Sequence, residues 1–453
     1  MFAYDATLYS RILTEVTLAF HILFATIGVG IPLMIALAQW IGIKQNDPHF
    51  ILLARRWTRG FVITVAVGVV TGTAIGLQLS LLWPKFMELA GQVISLPLFM
   101  ETFAFFFEAI FLGIYLYTWD RFKKPMKHFL LLIPVAIGSS LSAFFITVVN
   151  AFMNTPQGFE LKNGVITNIQ PLVAMFNPAM PTKVAHVLAS AYMTSAFVLA
   201  SIAAYHLLRN KKTHVYHKKA LHLTLVAGFV FSLATIVVGD FSGKFLAEYQ
   251  PEKLAAAEWH FETKPEAPLI LFGTLDENNE IKNGIEIPYG LSILAHNRPS
   301  AEVTGLNEFS VDERPPLYIH YLFDLMVVIG ILLTIVAFTY LVLWKQKQKR
   351  SNINLYHKAL MFLVLLSGPL ALLAIELGWI FAEVGRQPWI LRGYMKTVAG
   401  ATTADYVDVL LIFFIILYVL LAIASTFILR KIFKNNPVEH ELKTMNASQE
   451  VNV

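Results

Sequence analysis

No cysteine occurs among the 453 residues. That absence excludes disulfides, thiolate zinc sites, iron–sulfur clusters and cysteine nucleophiles together. Charge is scarce too: Asp, Glu, Lys and Arg make up 14% of the chain, where about 25% is usual for a soluble domain. A net charge of +5 is too small to point to nucleic acid, and no such partner is expected. Apolar side chains are abundant, at 56% of residues with a mean hydropathy of +0.60. Such a chain is built for lipid as its solvent.

A hydrocarbon core of ~30 Å takes about 20 apolar residues per helix. Nine segments reach that length, at 12–41, 61–82, 94–119, 129–153, 184–208, 219–239, 317–344, 358–383 and 407–433. The expected fold class is all-α integral membrane, a bundle of nine transmembrane helices. The opening MFAYDATLYSR has no cationic stretch and no small-residue cleavage site, so the first segment is read as a retained span. Helical periodicity throughout leaves no room for a transmembrane barrel.

Alternate connections (42–60, 120–128, 209–219, 345–358 and the tail from 430) hold 22 Lys and Arg, and the other side holds 13. This bias puts the N-terminus outside and the C-terminus in the cytoplasm. The run Lys211, Lys212, Lys218 and Lys219 is read as topological, and Trp83, Trp119 and Trp344 as interface anchors. The expected organisation is spans one to six over 1–239, an outside loop over 240–316, spans seven to nine over 317–434, and a solvated, disordered tail over 435–453. The loop carries 14 acids against 6 bases. A loop of that length is usually functional, and a short helix is expected near 251–260.

An ionisable side chain inside a span costs roughly 2.5–3.5 kcal/mol, so each one asks for a reason. Those found are Glu15, His21, Glu101, Glu108, His186, His222, Asp324, Glu376, Glu383 and Asp408. At 1.5 Å per residue, His21, Glu101, His186 and Met326 lie about 15 Å or less below the outer face. Glu376 lies about 10 Å below it, and Glu108 is deeper. A lone histidine is by default a helix–helix hydrogen-bonder, and a lone methionine is core packing. Glu15, His222, Glu383 and Asp408 read as interfacial. Glu101 and Glu108, two turns apart, share one helical face. Without thiols, His and Met can hold a low-spin haem, and His or Glu with an open sixth position suits a haem that binds oxygen. Residue chemistry alone leads to a haem or metal in the outer half with a proton path. A cation-coupled transporter using Glu101, Glu108 and Glu376, or a haem-based sensor, stays open at this point.

The sequence motifs go further. GRQPW at 385–389, preceded by IELGWIFAEV from 375, resembles the signature of subunit I of the cytochrome bd quinol oxidases. So do NPAMPTKVAHV at 177–187, GDFSG at 239–243 and KLAAAEWHFETKP at 253–265. VTLAFHILFATIGVGIPL in span one, FFFEAIFLGIYLYTWDRF at 105–122 and LSAFFITVVNAFMNTP at 141–156 are similar as well.

This resemblance implies a terminal oxidase of the bacterial cell membrane, a quinol:oxygen oxidoreductase with haems b558, b595 and d, or a b-type haem in place of d. It implies His186 and Met326 as axial ligands of haem b558, and His21 and Glu376 as ligands of the two high-spin haems. Glu101 and Glu108, with Ser142 and Asn150, would relay protons. Lys253 and Glu258 would engage the quinol, and Arg386 the haem propionates. A second membrane subunit is implied, with a small single-span subunit besides. Asp324 departs from the longer-loop pattern, which has an arginine two residues before the ligand methionine. A carboxylate there is expected to lower the potential of haem b558.

Overall fold

The computed structural model describes residues 4–209, 214–350 and 352–450; Lys211 and Lys212 lie outside them. Among the described residues, nine helices are long and apolar enough to cross a membrane: Ala6–Gln45, Pro48–Leu82, Pro84–Tyr117, Pro125–Asn154, Met180–Arg209, Val215–Tyr249, Ile319–Lys349, Lys358–Val384 and Val407–Asn435. Most run beyond their apolar segments because their ends are built to start and stop helices. Asp5 accepts from the Thr7 and Leu8 amides, Asp47 accepts from the His49 amide just before Pro48, and Pro84 opens the third span. Such side-chain caps and first-turn prolines satisfy or remove orphan amides.

The first span packs on the second, fifth and ninth, and the third packs on the fourth. The fifth contacts the sixth and eighth, and the seventh lies against both of these. The main core, with Leu52, Phe61, Tyr115, Phe197 and Tyr340, fills the middle of this arrangement. Trp83 is not a lipid-facing anchor. It is 5% exposed and donates its indole N–H to Thr14 Oγ1 at 3.0 Å, which satisfies it inside a second core cluster.

The long loop is a folded cap. It holds helices Pro251–Ala257 and Gly290–His296 and short antiparallel pairings, of which Leu269–Leu271 with Ile285–Ile287 is the longest. Leu254, Ala255, Leu291, Val303 and Leu306 share a core with Phe381 and Val384 of the eighth span, which fastens the cap to the bundle. We call this the loop end and the opposite side the tail end.

The expected disorder of the tail is overturned. Val438–Glu450 is a helix, and Glu441 is gripped by Arg56 and Arg59 of the second span. Val438 is buried beside them, so an apolar contact and an ion pair together hold the segment.

Candidate functional site

Three side chains at the loop end each meet a glycine of a neighbouring span. A Cβ built on Gly72 would lie 3.2 Å from His21 Cε1, one on Gly239 would lie 3.7 Å from His186 Cε1, and one on Gly378 would lie 2.9 Å from Met326 Sδ. Gly72 and Gly378 are thus tight against His21 and Met326, where a side chain would crowd the candidate ligand, whereas a Cβ on Gly239 would make only ordinary contact with His186. Thr71 donates its hydroxyl to Val67 O (2.9 Å) and therefore accepts from His21 Nδ1 at 2.8 Å. His21 Nε2 keeps its lone pair, the arrangement an outer partner imposes on a metal-binding histidine. His186 Nδ1 is buried with no hydrogen-bond partner. A structural histidine would be satisfied, so this orphan argues against the default reading.

Between the first and eighth spans lies a cavity lined by Glu15, Leu18, Ala19, Ile22, Glu376, Trp379, Ile380 and Glu383. Glu376 Oε1 is buried there without a partner. Glu383, read from sequence as interfacial, is 13% exposed at its side chain and fully engaged. Asn150 Nδ2 donates to it at 2.5 Å and Arg386 Nη2 at 2.6 Å. Lys183 donates to Asn150 Oδ1 at 2.8 Å. Lys253 Nζ donates to Ala382 O at 3.1 Å and stands 4.6 Å over the Phe381 ring.

Three buried cations thus surround one bound carboxylate, and Arg386 still has Nε and Nη1 without partners. Such an unfilled fork suits carboxylates such as haem propionates. Burial pushes the Lys253 ammonium down to about 7, although Glu383 holds it up. The residues present fit haem: single imidazole and thioether ligands, and unspent cations near by.

Glu101 accepts from Ser142 Oγ at 2.9 Å. Glu108 is 5% exposed and packs where a Cβ on Gly138 would come within 2.9 Å of its own Cβ. Asn150, expected on the same path, joins Glu383 instead.

In the cap, Lys253 and Glu258 turn to different neighbours. Lys253 belongs to the Glu383 cluster, whereas Glu258 lies near Asp324 and Ile270. Glu258 is fully buried, and neither of its oxygens makes a hydrogen bond. Burial, then the Asp324 charge, raises its carboxyl well above the usual range, while the Ile270 amide eases it back. Asp324 is no lone charge: it accepts from the Phe272 amide at 2.5 Å and lies 3.3 Å from His320 Nε2. These contacts offset the field expected from its position before Met326.

Sequence reasoning passed over Glu383, Lys183 and His320. For Glu383 a local signal existed, because Arg386 follows three residues later, a helical neighbour. For Lys183 the partner is remote in the chain, and for His320 only Asp324, four residues on, was a local signal, the carbonyls it faces being remote.

The family model for cytochrome bd terminal oxidase subunit I matches residues 9–437. A Bacillus subtilis (strain 168) protein, provisionally described as cytochrome bd menaquinol oxidase subunit I, is 45% identical over 98% of this chain and 100% of its own length. The cytochrome bd ubiquinol oxidase subunit 1 of the same organism is 32% identical over 95% of this chain and 94% of its own. Among solved structures, the bd oxidase from Geobacillus thermodenitrificans matches with a TM-score of 0.92 at 70% identity, covering 96% of this chain and 100% of that one.

Proposed function

This chain belongs to the cytochrome bd terminal oxidase subunit I family, the haem-bearing quinol oxidases of bacterial membranes, and on that premise we propose which of its residues hold the haems, the quinol and the protons. It works as a multi-pass membrane subunit with a partner subunit, and the transporter alternative is not favoured by these relatives. The loop end faces outside and the tail end the cytoplasm, as the Lys and Arg bias supports. A small single-span subunit completes the assembly.

His186 and Met326 would hold the low-spin haem, b558, and His21 would hold one high-spin haem through Nε2. The Glu376–Glu383 pair lining the cavity would offer a carboxylate to the other high-spin haem, of b595 and d (or a b-type haem in place of d). Glu376 offers an unpartnered oxygen, and Glu383 a carboxylate with cations around it. Arg386, with Lys183, receives propionates. Haem, when bound, supplies the one-electron carriers and the iron that binds oxygen.

Quinol gives up two electrons and two protons, and Glu258 is placed to accept a proton from its hydroxyl. A carboxyl that holds its proton more tightly than usual is the stronger base once ionised. Lys253 fixes the cap against the eighth span beside the quinol. Four protons are needed for each O₂ reduced to two waters, and Glu108, Glu101 and Ser142 pass them from the cytoplasmic side. Charge then separates across the membrane without a pump.

The observation that carries the assignment is the set of buried atoms without partners, His186 Nδ1, Glu376 Oε1 and the free fork of Arg386. A reduced-minus-oxidised optical spectrum of the purified two-subunit enzyme tests it. Loss of one high-spin haem in Glu376→Ala or in Glu383→Ala identifies the carboxylate ligand, and retention of all haems in both variants overturns the pair. A protein with no haem spectrum at all ends the reading.

A further inference from the structure

The second residue of the seventh span, His320, is fully buried under the cap. Its Nδ1 lies 2.7 Å from the carbonyl of Ala257, and its Nε2 lies 3.1 Å from the carbonyl of Phe272. Carbonyl oxygens only accept, so whichever ring nitrogen carries a proton donates to the carbonyl it faces. Asp324, one turn further along the same helix, lies beside Nε2 at 3.3 Å and takes the Phe272 amide at 2.5 Å. The Trp259 ring stacks on the imidazole with centroids 3.9 Å apart, and its indole N–H donates to Leu317 O at 2.9 Å. Tyr321 adds a bond from its hydroxyl to Gly273 O at 2.8 Å.

The cap residues that His320 itself touches lie near Glu258. Ala257 precedes it, Trp259 follows it, and Phe272 stands two residues beyond Ile270, whose amide faces its carboxyl. Trp259 and Phe272 both have left-handed backbones, with φ of 48° and 56°. That conformation is costly for bulky side chains and persists where the surroundings over-determine it. His320 contacts both residues. We propose that His320, backed by Asp324 and Trp259, is the positioning residue for Glu258, clamping the cap segments on either side of that carboxyl to the head of the helix that carries Met326. This rests on the reading of Glu258 as the residue that meets quinol. It adds that the quinol end and the low-spin ligand are held in register by one imidazole.

The test uses the whole two-subunit oxidase. His320→Gln removes the ring that faces both carbonyls and stacks on Trp259. We expect quinol-driven kcat/KM to fall about tenfold or more, mainly through KM. Oxygen reduction driven by an artificial electron donor and the low-spin spectrum should both stay within about twofold of wild type. Asp324→Asn, which keeps the shape, should give a smaller fall in the same sense and covers the case in which His320→Gln fails to assemble. In a Glu258→Gln background, adding His320→Gln should cost little more, since a residue that acts through another shows strong coupling to it.

Unchanged quinol kinetics in both single variants overturns the clamp. Equal loss with quinol and with the artificial donor, or full additivity with Glu258→Gln, makes His320 a general structural residue and overturns it too. If Glu258→Gln alone leaves quinol turnover intact, the quinol reading of Glu258 fails. The clamp is then judged by hydrogen exchange: faster exchange at 257–274 in His320→Gln supports it, and unchanged exchange sinks it.

Discussion

The two ends of the bundle treat buried polarity in opposite ways. At the tail end, buried and half-buried polar side chains among the described residues close on one another. Arg56 and Arg59 share Glu441, Lys219 and His49 share Asp47, and Tyr115, Gln39 and His128 bond in a ring of 2.8 to 3.1 Å contacts. At the loop end His186, Glu258, Glu376 and Arg386 each keep buried atoms with no partner. An unpaired buried polar group costs about 1–3 kcal/mol, so a fold keeps such groups where something else is to meet them. The closed networks hold the protein together, and the open ones are where we propose that haem, quinol and protons are met.

The largest expected effect breaks the comparison at its open end. His186→Ala should abolish the low-spin haem signal and leave high-spin haem in the reduced-minus-oxidised spectrum; an intact low-spin signal would mean that the orphaned imidazole is only structural. Next, Glu258→Gln should cut quinol-driven oxygen uptake by about a hundredfold, the lower range for losing a positioned acid or base. It should spare uptake driven by an artificial donor.

Breaking the closed end should give the reverse pattern. Glu441→Ala leaves two partly buried arginines without their anion and should lower stability by about 2–3 kcal/mol, seen as a lower melting temperature with haem spectra unaltered. A changed haem spectrum would dissolve the distinction between the ends.

The smallest effect concerns pH. Because burial raises the Glu258 carboxyl in the folded cap well above the usual carboxylate range, folding favours the protonated form. That contribution is complete below the unfolded value and is lost as pH rises through the higher folded value. Hydrogen-exchange protection of the cap should therefore weaken toward alkaline pH in the wild type and stay flatter in Glu258→Gln. Equal slopes in the two proteins would show that another group sets the dependence.

Much of this was legible in the residues, for a physical reason. Membrane thickness forces long apolar helices, so nine spans could be counted from composition alone. His21 and His186 stood out because motifs marked them, and Met326 through its depth and the resemblance of the chain as a whole. What stayed hidden depends on meetings between distant parts of the chain. Glu383 looked like a span-end carboxylate until Asn150, 233 residues away, was found donating to it. His320 looked like one more polar residue at a helix start until the cap folded over it. The tail looked solvated because its charges were visible and the arginines that bind them were not.

The grip of Arg56 and Arg59 on Glu441 also has a consequence in time. Arg59 and Glu441 are 382 residues apart, and synthesis proceeds at roughly 5–20 residues per second. The two arginines therefore wait on the order of 20–75 seconds for their anion to leave the ribosome, by that same rate. Until then the tail end of the second span is an open seam. It closes only once Glu441 has been made, so this contact forms after the nine apolar helices that precede it among the described residues.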